Sequence, residues 1–242
     1  MEITSGMVQV PAADGAMSAL LARPAIDGKY PGVVVVQEAF GLNEHIKDVV
    51  ARLAREGYVT LAPDLYYREK NAVVGYDNLQ EAIRLMMGLS DANIVKDMGA
   101  ALSYLQQQPA VRADRIGVTG FCMGGRVSFL TACLNPTVKA AVPFYGGGIG
   151  GAMPPAKAPL DYADKLMAPV LLFFGEKDAF IPLDEVERIK TRLAELKKNA
   201  EVIVYPGADH GFFCNERASY HAESAKDAWG RLLKFFEKHL KA

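Results

Sequence analysis

The chain has 242 residues, of which 50% are hydrophobic and 23% charged, and its formal net charge at pH 7 is −1. These values are typical of a globular protein, and the near-zero charge argues against a nucleic-acid ligand or an anionic membrane surface. No apolar run is long enough for a spanning helix, and the first ten residues lack the pattern of a secretory signal. Three cysteines are too few for a disulfide framework, so we expect a reducing, cytoplasmic location.

Short apolar runs alternate with amphipathic segments along the whole chain. The predicted strands are 17–22 (an early edge strand), 32–37, 58–62, 116–119, 140–145, 170–174 and 202–205. The predicted helices are 43–56, 77–88, 91–107, 126–134, 184–197 and 219–239, and Asn43 is suited to cap the first of them. Strands that alternate with helices predict an α/β fold with a mostly parallel central sheet flanked by helices. We expect one domain over residues 1–242, because no long insertion could form a separate cap domain.

Residues 146–159 form the part of the chain that is richest in glycine and proline. Gly146, Gly148 and Gly151 match the G-x-G-x-x-G spacing of a dinucleotide site. Such a site needs a helix next, whose N-terminal amides bind the pyrophosphate, but Met153-Pro154-Pro155 follows here. We therefore favour a plain loop over a cofactor site.

Four segments with glycines or reactive side chains follow predicted strands, at 37–43, 120–125, 175–178 and 209–212. In open parallel sheets, ligands bind at the carboxyl ends of the strands. The coincidence of these four segments with strand exits therefore predicts a single functional site.

The segment Gly120-Phe121-Cys122-Met123-Gly124-Gly125 joins a predicted strand to a predicted helix. It has the G-x-nucleophile-x-G form of a nucleophile elbow, with cysteine where serine is usual. Glycines are expected because side chains two positions from the nucleophile would collide with neighbouring backbone. The following helix N-terminus favours both a thiolate at Cys122 and an oxyanion. The alternative is that Cys122 is a small buried apolar residue.

Asp178 and His210 complete a predicted triad, in the chain order nucleophile, acid and histidine that α/β-hydrolases have. His210 would take the thiol proton, or hold it in an ion pair, and return it to the leaving group. Asp178 would fix the imidazole tautomer and stabilise its positive charge. Glu176 and Asp209 are alternatives for the acid. Asp178 could instead be a turn residue or a helix cap, although Asp184 is better placed to cap the next helix.

The other cysteines and histidines favour structural roles. Cys133 lies in the middle of a predicted helix and is expected in the core, whereas Cys214 follows His210 in a His-x3-Cys spacing that could bind a metal. With no second ligand pair nearby, we predict no metal site. The remaining histidines are expected to be solvated or hydrogen-bonded residues of helices: His45, His221 and His239.

Six segments together resemble the dienelactone hydrolase family of α/β-hydrolases. They are QEAFGLN at 37–43, APDLY at 62–66, GFCMGG at 120–125, YG at 145–146, the run 175–178, and HGF at 210–212. The resemblance covers nearly the whole chain. It implies an α/β-hydrolase fold and a hydrolase that acts on small lactones or esters.

The resemblance also implies further site residues. Glu38 would help to generate the thiolate when substrate arrives, although a structural glutamate that caps the next loop is the alternative. The backbone N–H groups of Met123 and Ala39 would form the oxyanion hole, and the first of these also follows from the elbow geometry. Tyr145 and Phe40 would line the substrate pocket.

Substrate-binding arginines are where this sequence departs from the family. The best-known members bind a substrate carboxylate with one arginine shortly before the long helix pair and another four residues after the histidine. Here those places hold Leu79 and Gln80, and Cys214. Arg84 and Arg217 are the candidates to replace them, and a solvated surface charge is the alternative for each.

A cysteine nucleophile restricts the substrates that can turn over. A thiolate is itself a good leaving group, so an ordinary alkoxide loses the competition in the tetrahedral intermediate, whereas an enol, phenol or thiol can win. We therefore predict enol lactones, aryl esters or thioesters as substrates, with no metal or organic cofactor. The alternatives are a thioesterase or a broad carboxylesterase on the same triad, and a non-catalytic binding protein. We expect a monomer or homodimer with no nucleic-acid or membrane partner.

Overall fold

The computed structural model describes residues 1–70, 72–151 and 157–242. They form two compact units, Met1–Gly117 and Val118–Ala242, which are described in turn. The prediction of a single domain over residues 1–242 stays a prediction. The Met153-Pro154-Pro155 segment, which argued against a dinucleotide site, lies outside the described residues.

The first unit is built around a mixed set of strands. They are β1 (Ile3–Ala12), β2 (Gly15–Pro24), β3 (Tyr30–Val36), β4 (Val59–Pro63) and the first part of β5 (Val111–Phe121). Their order is β1-β2-β4-β3-β5. β1 and β2 form an antiparallel hairpin, β2 is antiparallel to β4, and β3 is parallel to β4.

Strand β1 was not predicted, and the prediction that residues 17–22 form an edge strand was wrong. The corresponding strand β2 lies between β1 and β4, and β1 is the outer strand. Among the residues of β1, only Val10 is fully buried. Because most of its side chains face solvent, β1 lacks the apolar periodicity by which a strand is recognised.

Three helices of the first unit follow the predicted bounds to within a few residues. They are α1 (Glu44–Arg55), α2 (Leu79–Met87) and α3 (Asp91–Gln106). Each begins after a side chain that accepts a hydrogen bond from a backbone N–H three residues later: Asn43 from Ile46, Asn78 from Glu81, and Ser90 from Asn93. Such caps satisfy N–H groups that a helix leaves unpaired, and the cap at Asn43 was predicted.

The second unit contains the end of β5 and three parallel strands with helices between them. The elements are α4 (Met123–Leu134), β6 (Val138–Phe144), β7 (Val170–Gly175), α5 (Leu183–Glu195), β8 (Ala200–Tyr205) and α6 (Ala222–Phe236). Short helical turns also occur at Pro159–Lys165 and Glu237–Lys241. The strand order is β5-β6-β7-β8, and β7 is parallel to both β6 and β8. Every residue of β7 is buried, as its continuous apolar sequence predicts.

Several predicted boundaries in the second half of the chain were wrong for identifiable reasons. β5 begins at Val111 rather than at residue 116, because its first half is polar and partly exposed. α4 begins at Met123 rather than at residue 126, since two glycines of low helix propensity occupy its first turn. α6 begins at Ala222, and α5 is preceded by Pro182 rather than capped by Asp184.

The alternation of mostly parallel strands with helices confirms the predicted α/β class. Parallel strands place their carboxyl ends at a common edge, so loops after β5, β7 and β8 are in position to carry functional side chains. Among the described residues, none of the helices has the length and apolar character needed to cross a membrane.

Candidate active site

Cys122 occupies the sharp turn between β5 and α4. Its backbone has φ 56° and ψ −120°, a combination that residues with a Cβ atom rarely adopt. The Cys122 N–H donates to the Phe144 carbonyl (3.1 Å), and the Cys122 carbonyl accepts from the Gly125 N–H (2.9 Å). These bonds hold the strained conformation, and the side chain remains half-buried. The turn therefore presents the sulfur at the end of the strand.

Two glycines around Cys122 are required by close approach. A Cβ at Gly120 would overlap the Gly124 carbonyl and would lie 2.6 Å from Ser128 Oγ. A Cβ at Gly125 would overlap the Phe144 carbonyl. Gly120, two residues before the cysteine, therefore has the expected steric role. Gly125 adds a second position on the helix side where a side chain would not fit.

His210 and Asp178 form a buried pair after β8 and β7. His210 Nδ1 lies 2.8 Å from Asp178 Oδ2, and the two residues are 8% and 4% exposed. The other carboxylate oxygen, Asp178 Oδ1, accepts a hydrogen bond from the Phe180 N–H (2.9 Å). With both oxygens engaged, the carboxylate has a fixed orientation toward the ring, which selects the tautomer with a proton on Nδ1.

The two alternative acids hydrogen-bond to backbone groups, and both are exposed. Glu176 Oε2 accepts from the Gly207 N–H (2.8 Å), and Asp209 Oδ1 accepts from the backbone N–H of His210 (2.6 Å). The structure therefore pairs the imidazole ring with Asp178, and it gives Glu176 and Asp209 the role of fixing the loop that carries the ring.

The side chains of Cys122 and His210 interact electrostatically. Burial lowers the pKa of His210, but the charge of Cys122 and hydrogen bonds of the ring to Asp178 and Cys122 together raise the pKa to about 10. The raised pKa of His210 therefore favours the imidazolium form at neutral pH. The structure brings Cys122, His210 and Asp178 together in an arrangement that can hold a thiolate–imidazolium pair.

Two aromatic rings pack edge-to-face against the His210 ring. The Tyr145 ring centroid lies 5.2 Å away and that of Phe180 5.3 Å away. Tyr145 is buried and has φ 34°, so the predicted pocket residue is itself held in an unusual backbone conformation. Phe180 was missed by the sequence analysis, and 63% of it is exposed. No pattern in the sequence marks Phe180, because it lies between two other apolar residues, Ala179 and Ile181.

Glu38 lies in the first unit, directly after β3, and is fully buried. Its Oε2 accepts a hydrogen bond from the Tyr76 hydroxyl (2.8 Å), which in turn accepts from Asn43 Nδ2 (3.0 Å). The Phe40 ring packs edge-to-face on Tyr76 at 4.6 Å. A buried carboxylate needs such polar partners, so Tyr76 and Asn43 explain how this position accommodates a charge.

The two residues whose N–H groups were predicted as oxyanion donors lie in different units. Met123 is the first residue of α4, immediately after the strained turn, and its side chain is buried. Ala39 lies in the turn that follows β3 and is also buried. A helix N-terminus leaves backbone N–H groups without intrahelical partners, so the position of Met123 is suited to an anion.

Arg84 and Arg217 differ strongly in their surroundings. Arg84 lies on the exposed face of α2, where it forms a surface ion pair with Glu81 (2.8 Å). The Arg217 side chain packs over Gly211, next to His210, so closely that a Cβ at Gly211 would overlap its Nη1 and lie 2.6 Å from its Cζ. Gly211 also has φ 79°, which favours glycine. The alternative of a solvated surface charge therefore fits Arg84 but does not fit Arg217.

The other two cysteines and His45 are buried, and His221 caps a helix. Cys133 and Cys214 are buried, and burial raises the pKa of Cys133 to about 12, which makes it unreactive. His221 precedes α6, and its Nδ1 accepts from the backbone N–H of Ser224 (3.4 Å). His45, on α1, is buried. The expected core position of Cys133 is confirmed.

Comparison with known proteins identifies the family. The family model for dienelactone hydrolases matches residues 17–240. A Synechocystis sp. protein assigned as a carboxymethylenebutenolidase is 41% identical over 245 residues, which cover 100% of this chain and 99% of the relative. A Bradyrhizobium sp. protein assigned as a 2-oxo-3-(5-oxofuran-2-ylidene)propanoate lactonase is 35% identical, over 92% of this chain and 89% of the relative.

A solved structure extends the likeness to three dimensions. The crystal structure of a Klebsiella pneumoniae protein assigned as a dienelactone hydrolase matches with a TM-score of 0.90 and 42% sequence identity, over 99% of this chain and 100% of the other. The predicted α/β-hydrolase fold and the predicted class, a carboxylic ester hydrolase of this family, are confirmed. This chain belongs to the dienelactone hydrolase family of the α/β-hydrolase superfamily.

Proposed function

We propose that the protein is a cysteine hydrolase that cleaves a small enol lactone or another activated ester through Cys122, His210 and Asp178. One observation carries the proposal: a buried His210–Asp178 pair interacts with a half-buried cysteine held in a strained turn. These are the parts that nucleophilic acyl transfer needs, namely a nucleophile, a proton carrier and a group that orients the carrier.

The reaction would begin with attack of the Cys122 sulfur on the carbonyl carbon of the ester. The carbonyl electron pair moves onto oxygen, and the resulting oxyanion is stabilised by backbone N–H groups. When the intermediate collapses, the bond to the leaving oxygen breaks and His210 transfers its proton to that oxygen. With an open-chain ester the products of this half-reaction are a thioester on Cys122 and the free alcohol or phenol. With an enol lactone the ring opens, and the enol stays attached to the acyl group of the thioester.

The second half-reaction regenerates the thiolate. His210, now neutral, accepts a proton from a water molecule while the water oxygen attacks the thioester carbonyl. The C–S bond then breaks, the carboxylic acid is released, and the proton on His210 restores the imidazolium beside the Cys122 thiolate. Asp178 accepts a hydrogen bond from Nδ1–H of His210 in both half-reactions, which keeps Nε2 available for both proton transfers.

The leaving group decides which esters turn over. In the first intermediate the thiolate competes with the departing oxygen, so hydrolysis needs an oxygen that leaves at least as readily as sulfur. An enol lactone meets this requirement because ring opening releases an enol. The name of the Bradyrhizobium relative describes a furanone whose ylidene double bond begins beside the ring oxygen, which is such a lactone. We carry this substrate class over to the present chain as a proposal.

The resemblance to the family supports the remaining roles. We assign the oxyanion contacts to the N–H groups of Met123 and Ala39, and to Glu38 the task of promoting thiolate formation. Tyr145 and Phe40 are proposed to line the pocket, and the edge-to-face contact of Tyr145 with the His210 ring supports its role. Each assignment predicts lower activity on substitution, and Glu38→Gln tests a role of the Glu38 charge without a change in size.

A substrate carboxylate, if present, would be bound by Arg217 rather than by Arg84. The Arg217 guanidinium packs beside the His210 turn, whereas Arg84 forms its ion pair with Glu81 at the surface. A guanidinium can bind a carboxylate through two parallel hydrogen bonds. Lactones with and without a free carboxylate, compared on Arg217→Met and Arg84→Met, test this choice.

Hydrolysis of p-nitrophenyl acetate and of an enol lactone tests the proposed function directly. Cys122→Ala should lower kcat by about 10⁴-fold or more, because the covalent route is lost. Cys122→Ser should retain little activity, and Cys133→Ala, which removes a buried thiol outside the site, should match the wild type. Hydrolysis that survives in Cys122→Ala would contradict the proposal, as would equal turnover of ethyl and p-nitrophenyl esters of one acyl group.

Location and assembly are also proposals. The three cysteines are free, which suits a reducing compartment, and we therefore propose a cytoplasmic protein. We keep a monomer or homodimer as the proposed assembly, with a small lactone or ester as the partner and no cofactor in the proposed reaction.

A further inference from the structure

We propose that Tyr66 is a positioning residue that fixes the backbone turn carrying the Ala39 N–H. This inference rests on the proposed function, in which that N–H is an oxyanion donor. The Tyr66 hydroxyl donates a hydrogen bond to the Ala39 carbonyl (3.0 Å) from a fully buried side chain. Tyr66 ends the APDLY segment at 62–66, which no role proposed above explains.

The turn formed by residues 38–41 is restrained by its carbonyl groups. Four consecutive carbonyls accept hydrogen bonds: Glu38 from Gly41 N–H (3.2 Å), Ala39 from Tyr66 Oη (3.0 Å), Phe40 from Val74 N–H (3.0 Å) and Gly41 from Asn43 N–H (2.9 Å). Three of the four donors are backbone groups. The donor to the Ala39 carbonyl is a side chain, so it is the restraint that a substitution can remove.

Peptide geometry connects this bond to the proposed donor. In a planar trans peptide the C=O and N–H point in opposite directions, so the bond from Gly41 to the Glu38 carbonyl directs the Ala39 N–H away from the turn. The Ala39 carbonyl belongs to the next peptide plane, which Tyr66 holds. With both planes fixed, φ and ψ of Ala39 are fixed, and so is the direction of its N–H.

Tyr66 is itself anchored close to the turn. Its backbone N–H donates to Asp64 Oδ1 (2.9 Å), and the preceding Leu65 N–H donates to the side-chain oxygen of Gln37 (3.2 Å). Gln37 immediately precedes the turn, so the segments 37–41 and 64–66 are joined by a side chain from each. This arrangement gives the phenol hydroxyl one defined position over the Ala39 carbonyl.

Removal of the hydroxyl alone would leave the buried Ala39 carbonyl without this donor. A buried carbonyl that loses a partner turns toward another, and rotation of its peptide plane changes the ψ angle of Ala39. An oxyanion donor must be placed accurately to be effective, and the loss of one donor typically costs about 10²–10³-fold in kcat. We expect misalignment in Tyr66→Phe to lower kcat about tenfold, with KM changed less than about twofold.

The experiment compares Tyr66→Phe with Tyr67→Phe. The control also loses one hydroxyl hydrogen bond, because Tyr67 Oη donates to Asp97 Oδ1 (3.1 Å), but that bond does not touch the turn. Three readouts are taken on each variant: kcat and KM for a p-nitrophenyl ester, the affinity of a trifluoromethyl ketone, and the rate of alkylation by iodoacetamide. The ketone forms a tetrahedral oxyanion adduct with the thiolate, whereas alkylation displaces iodide without an oxyanion.

Tyr66→Phe should lower kcat and weaken the ketone by a similar factor, while its alkylation rate and all Tyr67→Phe readouts stay at wild-type values. The inference is wrong if Tyr66→Phe keeps wild-type kcat and ketone affinity, if alkylation falls in parallel with kcat, or if Tyr67→Phe behaves in the same way. Gly41→Ala, which disturbs the same turn through its φ of +88°, gives a second test should Tyr66→Phe fail to fold. Failure of the proposed function is distinct, because hydrolysis would then survive in Cys122→Ala.

Discussion

Two carboxylates of this chain, Asp178 and Asp97, are similarly buried and form ion pairs of similar length, but they belong to different hydrogen-bond networks. Asp97 accepts hydrogen bonds from two nitrogens of Arg68 (2.7 and 3.0 Å) and from the Tyr67 hydroxyl (3.1 Å). Arg68 in turn binds Asp14 (2.7 Å), which closes the network. Asp178 instead holds an imidazole that faces the sulfur of Cys122.

The titration behaviour of the partners separates the two networks. The hydrogen bond to Asp97 raises the pKa of Arg68 further above its already high value, and burial together with the Asp97 charge raises the pKa of Tyr67 to about 12. Neither Arg68 nor Tyr67 therefore exchanges a proton near neutral pH. An imidazole such as that of His210 can give up and take back a proton, so the partner of the carboxylate, and not its burial, distinguishes the proposed catalytic network from the structural one.

The largest expected effect that tests this comparison is on activity. Asp178→Asn should lower kcat by about 10⁴-fold, because an amide at this position favours the wrong imidazole tautomer. Asp97→Asn should leave kcat within about twofold of the wild type, since Asp97 belongs to the closed network. Steady-state kinetics on a p-nitrophenyl ester measure both. Equal losses in the two variants would show that the networks do not differ in the way described.

The second expected effect is on the titration of His210. The Cys122 charge and the ring's hydrogen bond to Cys122 both raise the pKa of His210, so Cys122→Ala should lower it from about 10 toward its ordinary value near 6.5. Titration of the His210 ring signals by NMR, in the wild type and the variant, measures the change. An unchanged pKa would mean that the sulfur contributes nothing to the charge state of the ring.

The same raised pKa sets the direction of a pH effect on stability. A group whose pKa is higher in the folded state than in the unfolded state stabilises the fold fully below about pH 6.5, and this contribution disappears as the pH rises through about 10. As the pH rises over that interval, the free energy of unfolding of the wild type should therefore fall relative to that of Cys122→Ala. Urea unfolding at several pH values provides the control for the NMR result.

The smallest expected effect is on stability alone. Asp97→Asn should lower the free energy of unfolding by about 2 kcal/mol, because Arg68 and Tyr67 lose a charged acceptor while Arg68 keeps Asp14. Urea unfolding measures this loss, and Asp178→Asn in the same assay shows whether the proposed catalytic network also contributes to stability. A loss below about 0.5 kcal/mol for Asp97→Asn would contradict the structural role assigned to the cluster.

The features that could be predicted from the sequence are those with strong local patterns. Continuous apolar runs predicted β3 and β7, and Asn43 predicted the start of α1. The nucleophile turn was recognisable because its steric requirements leave a trace in the glycines at 120 and 125. Where burial and local steric constraints determine the structure, the sequence pattern reflects them.

The features that escaped prediction depend on contacts distant in sequence or on exposed side chains. β1 faces solvent and so has little apolar periodicity, and the ring of Phe180 is exposed beside His210 without any pattern that marks it. The bond from Tyr66 to the Ala39 carbonyl joins residues 27 positions apart. Nor does sequence alone distinguish Arg84 from Arg217, because both are single arginines in polar segments.

The backbone of Cys122 has a further consequence for how this protein can evolve. The region of conformational space that residue 122 occupies suits a residue without a side chain, and Tyr145, next to the Phe144 carbonyl that binds the Cys122 N–H, is similarly constrained. Substitution by glycine at position 122 would relieve the backbone strain and make the fold more heat-resistant, while removing the proposed nucleophile. If the proposed function is right, selection for thermal stability alone would favour an inactive protein, and selection for turnover is what retains the sulfur.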